Sequence, residues 1–97
     1  MDAVGLTNVE IEVTDFAFSP TTIAGTPGQR LRVAIENVSN TIHNVSLDDQ
    51  GVRQDITPGG RATIEVTFPP SGVARFYCAF HSAQGMNGQL ESGPPRP

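Results

Sequence analysis

Apolar and polar residues alternate along this chain in short runs. In residues 7–13, Val9, Ile11 and Val13 fall on one side of an extended backbone and Asn8, Glu10 and Glu12 on the other. A two-residue period of this kind predicts a strand with one buried face. Phe16 and Phe18 keep a two-residue period and are expected to plug one end of the core, until Ser19-Pro20 breaks the run. Residues 21–24 allow a short strand, and Gly25-Thr26-Pro27-Gly28 reads as a turn. Residues 30–36 alternate again, with Leu31, Val33 and Ile35 inward. Residues 37–40 are polar and turn-like, and in residues 41–47 His43, Val45 and Leu47 share a face.

A second set of runs follows the Asp48-Asp49-Gln50-Gly51 turn. Residues 52–57 suit a strand at a sheet edge, and Thr57-Pro58-Gly59-Gly60 turns the chain. Residues 61–68 point Ile64, Val66 and Phe68 inward, and Pro69-Pro70-Ser71-Gly72 is another turn. Residues 73–78 set Ala74, Phe76 and Cys78 inward and Tyr77 outward, followed by a loop to Met86 and a last strand near residues 88–92. No stretch sustains apolar residues at helical spacing. The pattern predicts an all-β Greek-key sandwich or barrel of about seven to eight strands. Residues 1–92 are expected to form one domain. Gly93-Pro94-Pro95-Arg96-Pro97 is expected to be a disordered tail or linker.

Composition narrows the classes. A chain of 97 residues suits one domain with one modest core. Its net charge of −4 and its lack of a basic run argue against nucleic acid or an anionic lipid surface as partner. No apolar run approaches the ~18 residues of a membrane helix. Met1-Asp2-Ala3 leads almost directly into the strand pattern, without the composition of a signal peptide. The expectation is a mature or excised domain whose export signal or anchor is absent from this sequence.

The chemistry concentrates in Phe76-Tyr77-Cys78-Ala79-Phe80-His81-Ser82-Ala83-Gln84-Gly85-Met86. This stretch holds the only cysteine, one of two histidines, and the only methionine besides the first residue. A lone cysteine makes no internal disulfide, leaving a buried thiol, a nucleophile or a metal ligand as its roles. A loop leaving the strand at Cys78 can fold back to gather Cys78, His81 and Met86, and His43 offers a further donor from an interior strand. Each has a plain alternative: a core histidine for His43, core filler for Met86, an inert thiol for Cys78. Taken together, two imidazoles, a thiolate and a thioether form a set that selects copper. Structural zinc takes more thiolates or histidines and rarely a thioether.

These features resemble the cupredoxin family, and its plastocyanin-like members most. The resemblance spans roughly residues 8–92. It is carried by Asp15-Phe16-Ala17-Phe18-Ser19-Pro20, Gly25-Thr26-Pro27-Gly28, and Asn37 ahead of His43-Asn44-Val45. Pro58-Gly59-Gly60 and Phe76-Tyr77-Cys78-x2-His81-x4-Met86 complete it. The resemblance implies one copper ion cycling between Cu(II) and Cu(I), held by His43, Cys78, His81 and Met86. It implies an electron carrier rather than an enzyme. Asn44 would tie the two ligand loops together. The ring edge of His81 would surface through an apolar patch where a redox protein, of cytochrome or copper-oxidase type, docks transiently. Phe80, Ala83, Pro58, Gly59 and Tyr77 are the candidate docking residues. A monomer working outside the cytoplasm, in a periplasm, at a cell surface or in a thylakoid lumen, is also implied.

One departure is informative. Plastocyanins commonly carry proline immediately before the second ligand histidine, where this chain has Phe80. Unlike proline, Phe80 has an amide N–H, which is expected to donate to the Cys78 sulfur and favour Cu(I). Two rival readings remain: a non-redox copper carrier or sensor with the same ligands, and a domain excised from a larger copper protein. A Cys78–His81 nucleophile pair lacks an evident orienting third group.

Overall fold

Alternation becomes two facing sheets. A computed structural model describes residues 1–93, and the described residues form nine strands and no α-helix. The strands are β1 (Asn8–Thr14), β2 (Ala17–Ser19), β3 (Thr22–Gly25), β4 (Arg30–Asn37) and β5 (His43–Leu47), then β6 (Val52–Ile56), β7 (Arg61–Thr67), β8 (Gly72–Tyr77) and β9 (Asn87–Ser92). One sheet has the order β2-β1-β4-β7 and the other β3-β9-β8-β5-β6. The pairs β1/β4 and β3/β9 are parallel and the remaining neighbours antiparallel. β6 lies at an edge, as its mixed pattern suggested.

The inward residues of both sheets meet in one core. Val9, Ile11, Val13, Leu31, Val33, Ile35, Ile64 and Val66 are buried from one sheet, and Ile23, Val45, Leu47, Ala74, Phe76 and Leu90 from the other. Phe18 meets Phe76 edge-on across it, with ring centroids 5.0 Å apart. Each such large apolar side chain contributes about 1.5–3 kcal/mol through burial. Backbone crowds this core closely at Gly88. A Cβ there would lie 2.5 Å from both the Phe76 ring and the Thr21 carbonyl, so β9 reaches its place only with glycine.

The two-sheet all-β fold is as expected, with a ninth strand because β2 is a separate three-residue strand. One expectation needs correction. Phe16 does not plug the core and is 42% exposed. The reason is a hairpin: Thr14 pairs with Ala17 and Val13 with Phe18. Asp15 and Phe16 form its two-residue turn, so the inward period ends at Val13 and restarts at Phe18. Of the expected tail, residues 94–97 lie outside the described residues. Among the described residues, no helix is long and apolar enough to cross a membrane.

Candidate metal centre

β5 and β8 lie side by side and in opposite directions, with Ser46 opposite Tyr77. The start of β5 and the end of β8 therefore share one end of the sandwich, which brings His43 beside Cys78. Asn37 holds the entry to β5. Its side-chain NH2 donates to the carbonyls of Thr41 (2.8 Å) and Ile56 (2.9 Å), while its backbone bonds Gly59 and Gly60.

The loop after β8 is bound to itself. The Cys78 amide donates to Met86 O at 3.0 Å, and the His81 amide to Cys78 O at 3.1 Å. The amides of Gln84 and Met86 both return to His81 O. One ligand atom from each of His43, Cys78 and His81 lies within 4.8 Å of the others. Cys78 Sγ is 3.4 Å from His81 Nδ1, and the two imidazoles are 4.9 Å apart at 61°. Met86 is fully buried in the same loop, His43 and Cys78 are fully buried, and His81 is partly exposed.

His43 carries the most informative detail. Its Nε2 is 3.0 Å from Asp15 Oδ1, whereas its Nδ1 is buried with no hydrogen-bond partner among the described residues. Leaving a buried polar atom unpaired costs about 1–3 kcal/mol, so such atoms are rare unless something else binds there.

The cupredoxin-like domain family matches residues 3–90. This chain is a cupredoxin. No curated protein sequence matches it. Among solved structures, dithionite-reduced auracyanin from Roseiflexus castenholzii aligns with TM-score 0.74 at 23% identity, over 91% of this chain and 98% of that one. A mutant fern plastocyanin, solved in oxidised and reduced forms, aligns with TM-score 0.66 at 21% identity, over 88% and 100%. The metal-binding domain of the Cu(I)-exporting ATPase CopA of Streptococcus pneumoniae, solved with Cu(I), aligns with TM-score 0.78 at 12% identity, over 97% of each chain.

The residues of this cupredoxin fit copper. A thiol, two imidazoles and a neighbouring methionine are a soft donor set, and the unpartnered Nδ1 of buried His43 is a nitrogen that a metal would satisfy. Asn44 is buried and links the two ligand segments. Its Oδ1 accepts from the Ala79 amide at 3.3 Å and from Ser46 Oγ, and its Nδ2 donates to Asp55 Oδ1 at 2.8 Å. The expected bond from the Phe80 amide to the sulfur is not formed among the described residues; the sulfur instead meets His81 Nδ1. The tight turn closed by His81 N and Cys78 O sets Phe80 at its corner, pointing outward and 46% exposed.

Around His81 lie Phe16 at 4.9 Å and Phe80 at 6.4 Å between ring centroids. Ala83, Pro58 and Gly59 are exposed, and Tyr77 is partly buried. The Tyr77 hydroxyl donates to Asp48 Oδ1 at 2.8 Å, and that bond is the main reason its phenol is raised above the ordinary 10.0. Sequence reasoning missed Asp15 as the partner of His43 and Phe16 as the neighbour of His81. Both sit in the β1–β2 turn, far from the ligand loop in sequence, and only the packing of the sheets brings them there.

Proposed function

We propose that this cupredoxin holds a single copper ion through His43, Cys78, His81 and Met86 and carries electrons one at a time between protein partners. The observation that carries the reading is the buried, unpartnered Nδ1 of His43 beside Cys78 and His81. When bound, copper supplies a one-electron Cu(II)/Cu(I) couple.

The chain's own residues do the rest. β5 and the self-bonded loop fix the donors before metal arrives, which limits rearrangement between oxidation states. Cys78 and Met86 are shut off from water, while His81 reaches toward the surface. Its imidazole is the path for the electron. Phe16 and Phe80 border it, and with the exposed Ala83, Pro58 and Gly59 they are the residues against which a redox protein, a cytochrome or a copper oxidase, docks. Tyr77, whose hydroxyl bonds Asp48, is a further docking residue. Transient electron-transfer contacts bury under about 1,200 Å², so a modest patch suffices. This cupredoxin domain works as a monomer outside the cytoplasm, as an electron carrier rather than an enzyme.

A second reading has its own support in the likeness to a Cu(I)-binding domain of a copper-exporting ATPase. In that case the same ligands store or hand on Cu(I). Titration of the metal-free protein with Cu(II) separates the two. Electron carriage predicts an intense visible cysteinate-to-copper band that is absent from Cys78→Ser. A colourless protein loaded with Cu(II) contradicts electron carriage and favours the Cu(I) reading.

A further inference from the structure

We infer that Asp15 is a positioning residue for the centre: its carboxylate selects the tautomer of His43 that leaves Nδ1 free for metal, and its charge favours the oxidised state. The inference rests on the copper reading above, but its first half stands on the metal-free protein.

The two nitrogens of His43 sit in different surroundings. Nε2 lies 3.0 Å from Asp15 Oδ1, and Nδ1 is buried without a hydrogen-bond partner among the described residues. An ionised carboxylate only accepts hydrogen bonds, so Nε2 must carry a proton to bond it. A neutral imidazole with its proton on Nε2 has its lone pair on Nδ1. The opposite tautomer would set the carboxylate against a lone pair and bury an N–H with no acceptor. Both effects favour the same form, and the ring is fully buried.

The placement comes from the fold. Asp15 and Phe16 are the two-residue turn between β1 and β2, in the sheet opposite β5. One turn therefore touches both imidazoles, Asp15 bonding the buried His43 and Phe16 packing on the partly exposed His81. A backbone carbonyl would orient His43 as well as a carboxylate does. The carboxylate adds a negative charge next to a ligand, which favours the more positive metal state. The Asp15 side chain is 46% exposed, so solvent screens part of that charge.

Three proteins test this: wild type, Asp15→Ala and Asp15→Asn. Long-range proton–nitrogen NMR of the metal-free proteins reads the tautomer. The expected result is Nε2–H in wild type, the same in Asp15→Asn, whose side-chain oxygen can still accept, and a mixture in Asp15→Ala. After copper loading, Asp15→Ala should lose about 10–100-fold in copper affinity. Asp15→Asn should bind Cu(I) as wild type does while its Cu(II)-to-Cu(I) affinity ratio falls about tenfold, an upward shift in potential of ~59 mV. A wild-type His43 carrying its proton on Nδ1 overturns the inference, as does an Asp15→Asn variant with an unchanged potential. Should Asp15→Ala fail to fold, the wild type and Asp15→Asn still decide it. If the tautomer follows Asp15 but no copper is bound, the electron-carrier reading and the charge effect fail and the orienting role stands. If copper binds and the tautomer ignores Asp15, the inference alone fails.

Discussion

The amide of Cys78 donates to the carbonyl of Met86 at 3.0 Å, so the ligand loop returns to the point where it leaves β8. With the bonds from the His81 and Gln84 amides to Cys78 O and His81 O, the loop is organised by its own backbone. A site of this kind does not need metal to fold. The Cys78 amide is expected to be strongly protected from hydrogen exchange in the metal-free protein, measured by NMR. Rapid exchange there, slowed only by copper, would mean that metal builds the loop.

Asn44 joins the two ligand segments through hydrogen bonds with Ala79, Ser46 and Asp55. Replacing it with alanine strips the acceptor from a backbone amide and a buried hydroxyl. Asn44→Ala should destabilise the metal-free protein by about 1–3 kcal/mol in urea denaturation. A midpoint and slope matching wild type would show that water replaces these bonds and that the link is dispensable.

Tyr77 is the only tyrosine, so tyrosinate absorbance reports it alone. The hydrogen bond to Asp48 raises its phenol above the ordinary 10.0, with burial and the Asp48 charge adding and Arg53 opposing. The folded state therefore holds this proton more tightly than the unfolded chain does. Its contribution to stability is fully present below pH 10.0 and is lost as pH rises through the higher folded value. Spectrophotometric titration should give a midpoint above 10.0 that falls back toward it in Asp48→Asn. No movement in that variant would place the cause elsewhere.

Phe16 and Phe80 are both exposed and both border His81. Phe80→Ala removes contact area from the docking surface and little from the core. Its stability should stay within about 0.5 kcal/mol of wild type. Stopped-flow electron exchange with a small redox protein should slow about five- to tenfold, the equivalent of roughly 1 kcal/mol or slightly more. An unaffected rate would move the docking surface away from Phe80.

How much of this could be read from the chain differs between elements. Strands such as β1, β4 and β7 were legible because each buries one face, and alternation is the direct trace of that. β2 was not, because a two-residue turn reset the period between Val13 and Phe18. Cys78, His81 and Met86 stood out because chemically rare residues cluster locally, and His43 because it falls on the inward phase of β5. Asp15 left no such trace. Its contact with His43 spans 28 positions and depends on how two sheets face each other. The Phe80 amide was misjudged for a local reason: whether it meets the sulfur depends on the turn closed by His81 and Cys78, which residue types alone do not specify.

Voltammetry of the copper-loaded protein tests electron carriage most directly. Expected is a single reversible one-electron wave, with copper retained through repeated cycles, and no such wave from Cys78→Ser. An irreversible wave, or copper lost on oxidation, would contradict electron carriage.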